Sequence, residues 1–359
     1  MNKNSSQEPG IIEGFFGRSW SWSDRQDYAA FLANTGYRFY IYAPKDDTFL
    51  RRRWQESWPA TTVAELHRLR DIYQQHGVAF GVGLSPYELY REPSGERISK
   101  LQKKIAQLNE LQPDILCLLF DDMRGDLPSL AEIQCELVQC AAENTTARKI
   151  IFCPTYYSFD PILEKVFGAR PDNYWTTLGR NIDSAIDIFW TGPQVCSLCY
   201  PPEHLQTVTE LLQRQPFLWD NYPVNDGAVK SKLLQLRAFD QRHTELNTRV
   251  AGHAVNPMNQ PWLSRIPLMT LPQLYREGAR YDAMQAFIDA CHQLCGSALA
   301  QCIVEDIALL QDAGLSKLST ANKQELIERY RAFPDSPYAA EIIAWLNDEY
   351  QFDPACLTE

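Results

Sequence analysis

The sequence predicts an α/β fold: a (β/α)8 TIM barrel followed by a small C-terminal helical region. Three observations carry that expectation. A short apolar run ending in polar or turn residues, followed by an amphipathic helical stretch, recurs about eight times over about 260 residues. The runs are near-continuously apolar rather than alternating, as parallel strands covered on both faces require. Beyond about residue 271 the runs cease, and amphipathic helices with glycine or proline breaks take their place. The expected organisation is a flexible N-terminus over 1–9, the barrel over 10–270 and a helical appendage over 271–359.

The strand candidates follow in order. They are "GIIEGFF" from Gly10, "RFYIYAPKDD" from Arg38, "VAFGVGLSP" from Val78, "ILCLLFDD" from Ile115, "KIIFCPTYY" from Lys149, "DIFWTGP" from Asp187, "PFLWDN" from Pro216 and "VAGHAVNP" from Val250. Between them lie helical patterns such as "SDRQDYAAFLANTG", "TTVAELHRLRDIYQQHG" and "ISKLQKKIAQLNELQ". Ser23 and Thr61 or Thr62 are the expected N-caps of the first two, each with a glycine at its far end. A doubly wound open sheet has the same alternation, but no G-x-G-x-x-G or G-x-x-x-x-G-K-[ST] follows the first strand. Past residue 271, "QLYREGARYDAMQAFIDACHQLCG", "SALAQCIVEDIALLQDAG", "TANKQELIERYRAF" and "SPYAAEIIAWLNDEY" read as helices packed on the barrel.

At 359 residues, with 45% apolar and 22% charged residues, the chain is ordinary for a globular protein that buries a large core. Its net charge of −11 and the lack of a basic stripe disfavour nucleic acid or a membrane surface as a partner. The opening "MNKNSSQEPG" leaves no room for the apolar core of a secretory signal, and the expected location is cytoplasmic. Of ten cysteines, several such as Cys117, Cys153 and Cys302 sit inside apolar runs, as small core hydrophobes do. Cys196 and Cys199 form a lone C-x-x-C, and the six histidines are scattered singly, so neither a metal nor a cofactor is expected.

Barrel chemistry sits at the C-terminal strand ends. Those ends carry hydroxyls, amides and carboxylates with tryptophans and tyrosines close by, the groups that a pocket for an uncharged sugar needs. The "LCLLFDD" over residues 116–122 is the sharpest of them, because it sets Asp121 beside Asp122 at the end of a buried run. Adjacent carboxylates repel and are costly to desolvate. Either Asp122 merely caps the next segment, or the pair faces one bound molecule, as the two acids of a glycosidase do. "APKDD" alone is equally compatible with an exposed turn.

Together, "IIEGFFGRSWS", "YIYAPKDD", "LLFDDM", "FCPTYY", "WTGP", "LWDN" followed by "ND", and Asn256–Pro257 resemble the β-N-acetylglucosaminidases of glycoside hydrolase family 84, the O-GlcNAcases and their bacterial relatives. The likeness runs in order from about Gly10 to about Leu271. It implies a retaining hydrolysis in which the substrate's own 2-acetamido oxygen attacks the anomeric carbon and forms an oxazoline. By this resemblance Asp121 accepts the acetamido N–H, and Asp122 is general acid and then base. Gly14 lets the backbone approach the sugar, and Lys45 donates to a ring hydroxyl. Tyr157 bonds near the acetamido group, and Asn221 supports Asp121. Asp226 and Asn256 hold the hydroxyls far from the scissile bond, while Cys153, Thr191 and Trp219 line the acetyl-methyl pocket. The partner so implied is a GlcNAc-containing glycoconjugate or oligosaccharide.

Three departures stand out. Phe16 occupies a usual tyrosine position, "GRSW" replaces "GRPW", and Gln194 stands where some relatives have lysine. Two further readings stay open: a hydrolase of the same fold acting on hyaluronan or peptidoglycan fragments, and a catalytically silent carbohydrate-binding barrel.

Overall fold

The computed structural model describes residues 9–243 and 245–358. The flexible segment expected over residues 1–9 lies, Pro9 apart, outside the described residues. Eight parallel strands close into a barrel in sequence order, with the first hydrogen-bonded to both the second and the last. They are β1 (Gly10–Glu13), β2 (Phe39–Tyr42), β3 (Ala79–Leu84), β4 (Ile115–Leu119), β5 (Lys149–Cys153), β6 (Asp187–Trp190), β7 (Phe217–Asp220) and β8 (Gly252–Val255). The predicted runs match these strands, and β4 shows why: all five residues of ILCLL are buried.

The helices that cover the barrel are α1 (Trp22–Thr35), α2 (Ala60–Gln75), α3 (Ser94–Glu110), α4 (Leu130–Asn144), α5 (Ile162–Phe167), α6 (Tyr174–Asn181), α7 (Pro202–Leu212), α8 (Leu246–Arg249) and α9 (Pro261–Glu277). The caps differ from expectation. Ser21, not Ser23, is the N-cap of α1, because its hydroxyl accepts from the Asp24 N–H while Asp24 answers the Ser21 N–H. Ser21 is extended, so its side chain can reach back to the third helical residue. In α2, Thr61 and Thr62 already lie within the first turn, and Pro59 holds the cap position without a side-chain bond. Gly36 ends α1 in the left-handed region at φ 99°, as predicted.

After α9 come α10 (Ala283–Cys295), α11 (Ser297–Ile307), a π-helical turn (Ala308–Ala313), α12 (Gly314–Lys317), α13 (Thr320–Arg331) and α14 (Pro337–Leu346). One apolar core fills the barrel and its helical shell, and a second lies among α9 to α14 and residues 234–238 of the β7–β8 connection. Helix α9 serves both: Leu268, Leu271 and Leu274 enter the first core, Leu263 and Ile266 the second. Glu341 of α14 fastens the contact, accepting from the Trp262 and Leu263 N–H groups at 3.0 and 2.8 Å at the start of α9. No helix among the described residues is long and apolar enough to cross a membrane.

Candidate active site

The two acids of "LCLLFDD" leave the end of β4 at the top of the barrel, and the backbone there explains how both face one way. Successive side chains on an extended strand point to opposite faces. Asp122 has φ 56°, so the chain swings into the left-handed region one residue after Asp121. That conformation costs a non-glycine residue about a kcal/mol or more, and it persists where surrounding structure enforces it. The Lys45 ammonium, carried just past β2, bonds Asp121 Oδ2 and lies 3.3 Å from Asp122 Oδ2. One cation thus bridges both acids.

Their surroundings set the two carboxylates apart. Burial pushes the Asp122 carboxyl up; Lys45 opposes the rise and Asp121 adds to it. The same burial disfavours the Lys45 ammonium, but the two aspartates outweigh it and hold the amine above its usual value. Asp121 Oδ1 is buried and has no hydrogen-bond partner. A buried acceptor left open costs about 1–3 kcal/mol. It points to a donor that arrives with a ligand.

Every residue singled out in the sequence, namely Gly14, Lys45, Asp121, Asp122, Cys153, Tyr157, Thr191, Trp219, Asn221, Asp226 and Asn256, lines this one cleft. A hydrogen-bonded chain ties its walls. The Gly14 N–H donates to Asn256 Oδ1 (3.2 Å), and Asn256 Nδ2 donates to Asn221 Oδ1 (3.1 Å). Trp219 Nε1 donates to the same oxygen (3.0 Å), while Asn221 Nδ2 reaches the Val195 carbonyl (2.8 Å). Four strand ends are thereby held in register. At Gly14 a Cβ would stand 2.4 Å from the Trp219 ring, so only glycine fits beside the indole. Asp226 accepts from the Phe16 N–H at 2.8 Å; burial and the nearby Asp122 outweigh that bond and push its carboxyl up to about 6. Burial raises the Cys153 thiol and the Tyr157 phenol well above their usual ranges, so both are neutral lining groups.

Phe16 presents its ring to cations, with Lys45 Nζ 5.8 Å and the Arg51 guanidinium carbon 5.2 Å from its centroid. Val195, Cys196, Val224, Cys356 and Thr358 also line the cleft and were not anticipated. Val195 and Cys196 follow "WTGP" closely enough for that motif to have pointed to them, whereas nothing in the sequence points to Cys356 or Thr358. Glu13, another strand-end acid, faces α1 instead and pairs with Arg25 at 2.6 Å. No group of three or more His, Cys, Asp or Glu able to hold a metal occurs among the described residues.

A family profile described as beta-N-acetylglucosaminidase matches residues 9–307. The chain belongs to that family. Relatives include the Protein O-GlcNAcase of Rattus norvegicus and of Mus musculus, each 29% identical over 290 residues. The alignment takes in 77% of this chain, which spans only 31% of the length of either relative. Among solved structures, a mutant Thermobaculum terrenum O-GlcNAc hydrolase superimposes with a TM-score of 0.76 at 30% identity, over 94% of this chain and 80% of its own. The structure titled CpGH84B shares the fold at 21% identity, with a TM-score of 0.77 over 95% of this chain and 66% of its own.

Proposed function

We propose that the protein is a retaining β-N-acetylglucosaminidase that removes terminal GlcNAc through substrate-assisted catalysis. The observation that carries this reading is the unpartnered buried oxygen of Asp121 beside the raised carboxyl of Asp122. An acetamido N–H would complete Asp121 Oδ1. That bond polarises the amide, whose carbonyl oxygen attacks the anomeric carbon as the glycosidic C–O bond breaks. Asp122, whose carboxyl burial pushes up, gives its proton to the departing oxygen. The oxazolinium so formed bears positive charge next to Asp121, which stabilises it. Water then adds to the anomeric carbon and yields a proton to Asp122, the oxazoline opens, and GlcNAc leaves with its β configuration retained. The attacking group belongs to the substrate, so proximity supplies much of the acceleration and no third carboxylate is needed.

Lys45, Asp226 and Asn256 are placed to hold ring hydroxyls, and Cys153, Thr191 and Trp219 to enclose the acetyl methyl. The natural substrate class is a GlcNAc-containing glycoconjugate or oligosaccharide. The proposed location is cytoplasmic, in keeping with the ten free cysteines.

The test is release of an aryl leaving group from its β-N-acetylglucosaminide in the presence of a chelator. Wild type is expected to turn over, and Asp121→Asn to lose about 10²–10³-fold in kcat. A folded wild type without turnover that still binds GlcNAc identifies a silent sugar-binding barrel. Near-normal rates in Asp121→Asn sink the assigned role.

A further inference from the structure

The segment that follows α14 does not stay on the helical region. Past residue 346 it runs along the loop after β1, where Arg18 lies 4.8 Å over the Tyr350 ring and 3.5 Å from Glu349. The Gln351 carbonyl sits close to Gly17. Beyond it the chain turns, the Cys356 N–H donating to the Asp353 carbonyl (2.9 Å) and the Ala355 N–H to Asp353 Oδ1 (2.8 Å). The turn delivers Cys356 and Thr358 into the cleft, and Tyr157 donates its hydroxyl to Thr358 Oγ1 at 3.3 Å.

Two consequences follow. With the segment in place the cleft has a free volume of only about 50 Å³, against the ~300–1,000 Å³ of ordinary small-molecule sites. A hexosamine does not fit beside it. In addition, Thr358 occupies the phenol of Tyr157, which the family resemblance places near the acetamido group of the substrate. We infer that residues 352–358 are a displaceable plug of the sugar pocket, an autoinhibitory contact that substrate must expel before binding. This rests on the sugar-binding reading given above.

The contact is built to yield. The segment has no helix or strand, and its large apolar side chains stay in water, Phe352 at 40% and Leu357 at 56% exposure. Its docking therefore draws little on apolar burial. It also leaves Asp121 Oδ1 unsatisfied. A substrate brings the N–H that the plug lacks, so this open acceptor discriminates in favour of substrate.

The experiment replaces residues 352–358 by a Gly/Ser stretch of equal length and compares the variant with the otherwise identical chain. If the plug is seated about nine-tenths of the time, the replacement lowers KM for the aryl glycoside, and Kd for GlcNAc by calorimetry, about tenfold with kcat unchanged. Thr358→Val is expected to move both in the same direction by a smaller factor. Equal KM and Kd in all three proteins overturn the plug while leaving the sugar reading intact. Hydrogen exchange decides the docking without any sugar. Protection of the Cys356 amide in the free protein, lost in Tyr157→Ala, supports the plug. A segment that exchanges as fast as a free peptide overturns it, whatever the enzyme binds.

Discussion

Two buried aspartates at strand ends have opposite surroundings. Asp220, at the end of β7, is fully buried and satisfied: Arg242 donates to both its oxygens at 2.8 Å, and His253 Nε2 lies 3.0 Å away. Burial alone would raise its carboxyl, but Arg242 and His253 hold it far below the usual range. The Arg242 guanidinium also donates to the Leu198 carbonyl, fastening the β6 loop to β7. Asp121, by contrast, shares one lysine with a second carboxylate and keeps an oxygen open. The difference teaches how to tell a structural acid from a chemical one: the first has both oxygens bonded, the second is held in place with one oxygen left for a ligand.

The largest test of this contrast is Arg242→Met, which strands the Asp220 charge in the interior. Breaking a buried pair by removing one partner costs about 3–5 kcal/mol, here expected in urea unfolding at pH 7. A loss below ~1 kcal/mol would break the comparison. Because the folded Asp220 carboxyl lies below its unfolded value, the stability it contributes is present above about pH 4 and lost as pH falls toward the folded value. The mutant should show less of that acid sensitivity.

Asp122→Asn sharpens the other side. It is expected to lower kcat/KM by about 10² on substrates with poor leaving groups, and by much less on activated aryl glycosides. A general acid must be protonated, so wild-type activity falls as pH rises through the Asp122 pKa, and a raised pKa moves that limb upward. The limb should flatten in the mutant; equal losses on both substrate types would remove Asp122 from the role of acid. The smallest effect is expected at Arg237–Asp312, a 2.6 Å pair that remains 34% and 57% exposed. Asp312→Asn should cost only about 0.2–1 kcal/mol in the same unfolding assay.

Much of this was legible in the sequence for a physical reason. A strand buried on both faces must be apolar along its whole length, so ILCLL and its counterparts stand out, and the barrel confines chemistry to the residues that follow them. The cleft residues from Gly14 to Asn256 all lie at such ends. What sequence reading missed depends on geometry that no local pattern encodes. Ser21 and Ser23 are equally good capping residues, and only the path of the chain into α1 chooses between them. Cys356 and Thr358 reach the cleft on the segment that follows α14, some 200 residues from Tyr157 in the chain, and carry no motif. The left-handed turn at Asp122 was equally invisible, because nothing in "FDD" encodes the sign of φ.

Helix α9 has a consequence for how the molecule melts. Because its residues enter both cores and Glu341 grips its first turn, neither core can be dismantled without stripping an apolar face from the other. Barrel and helical region are thereby thermodynamically fused, and heating should show one cooperative transition in which the cleft and α10 to α14 are lost together.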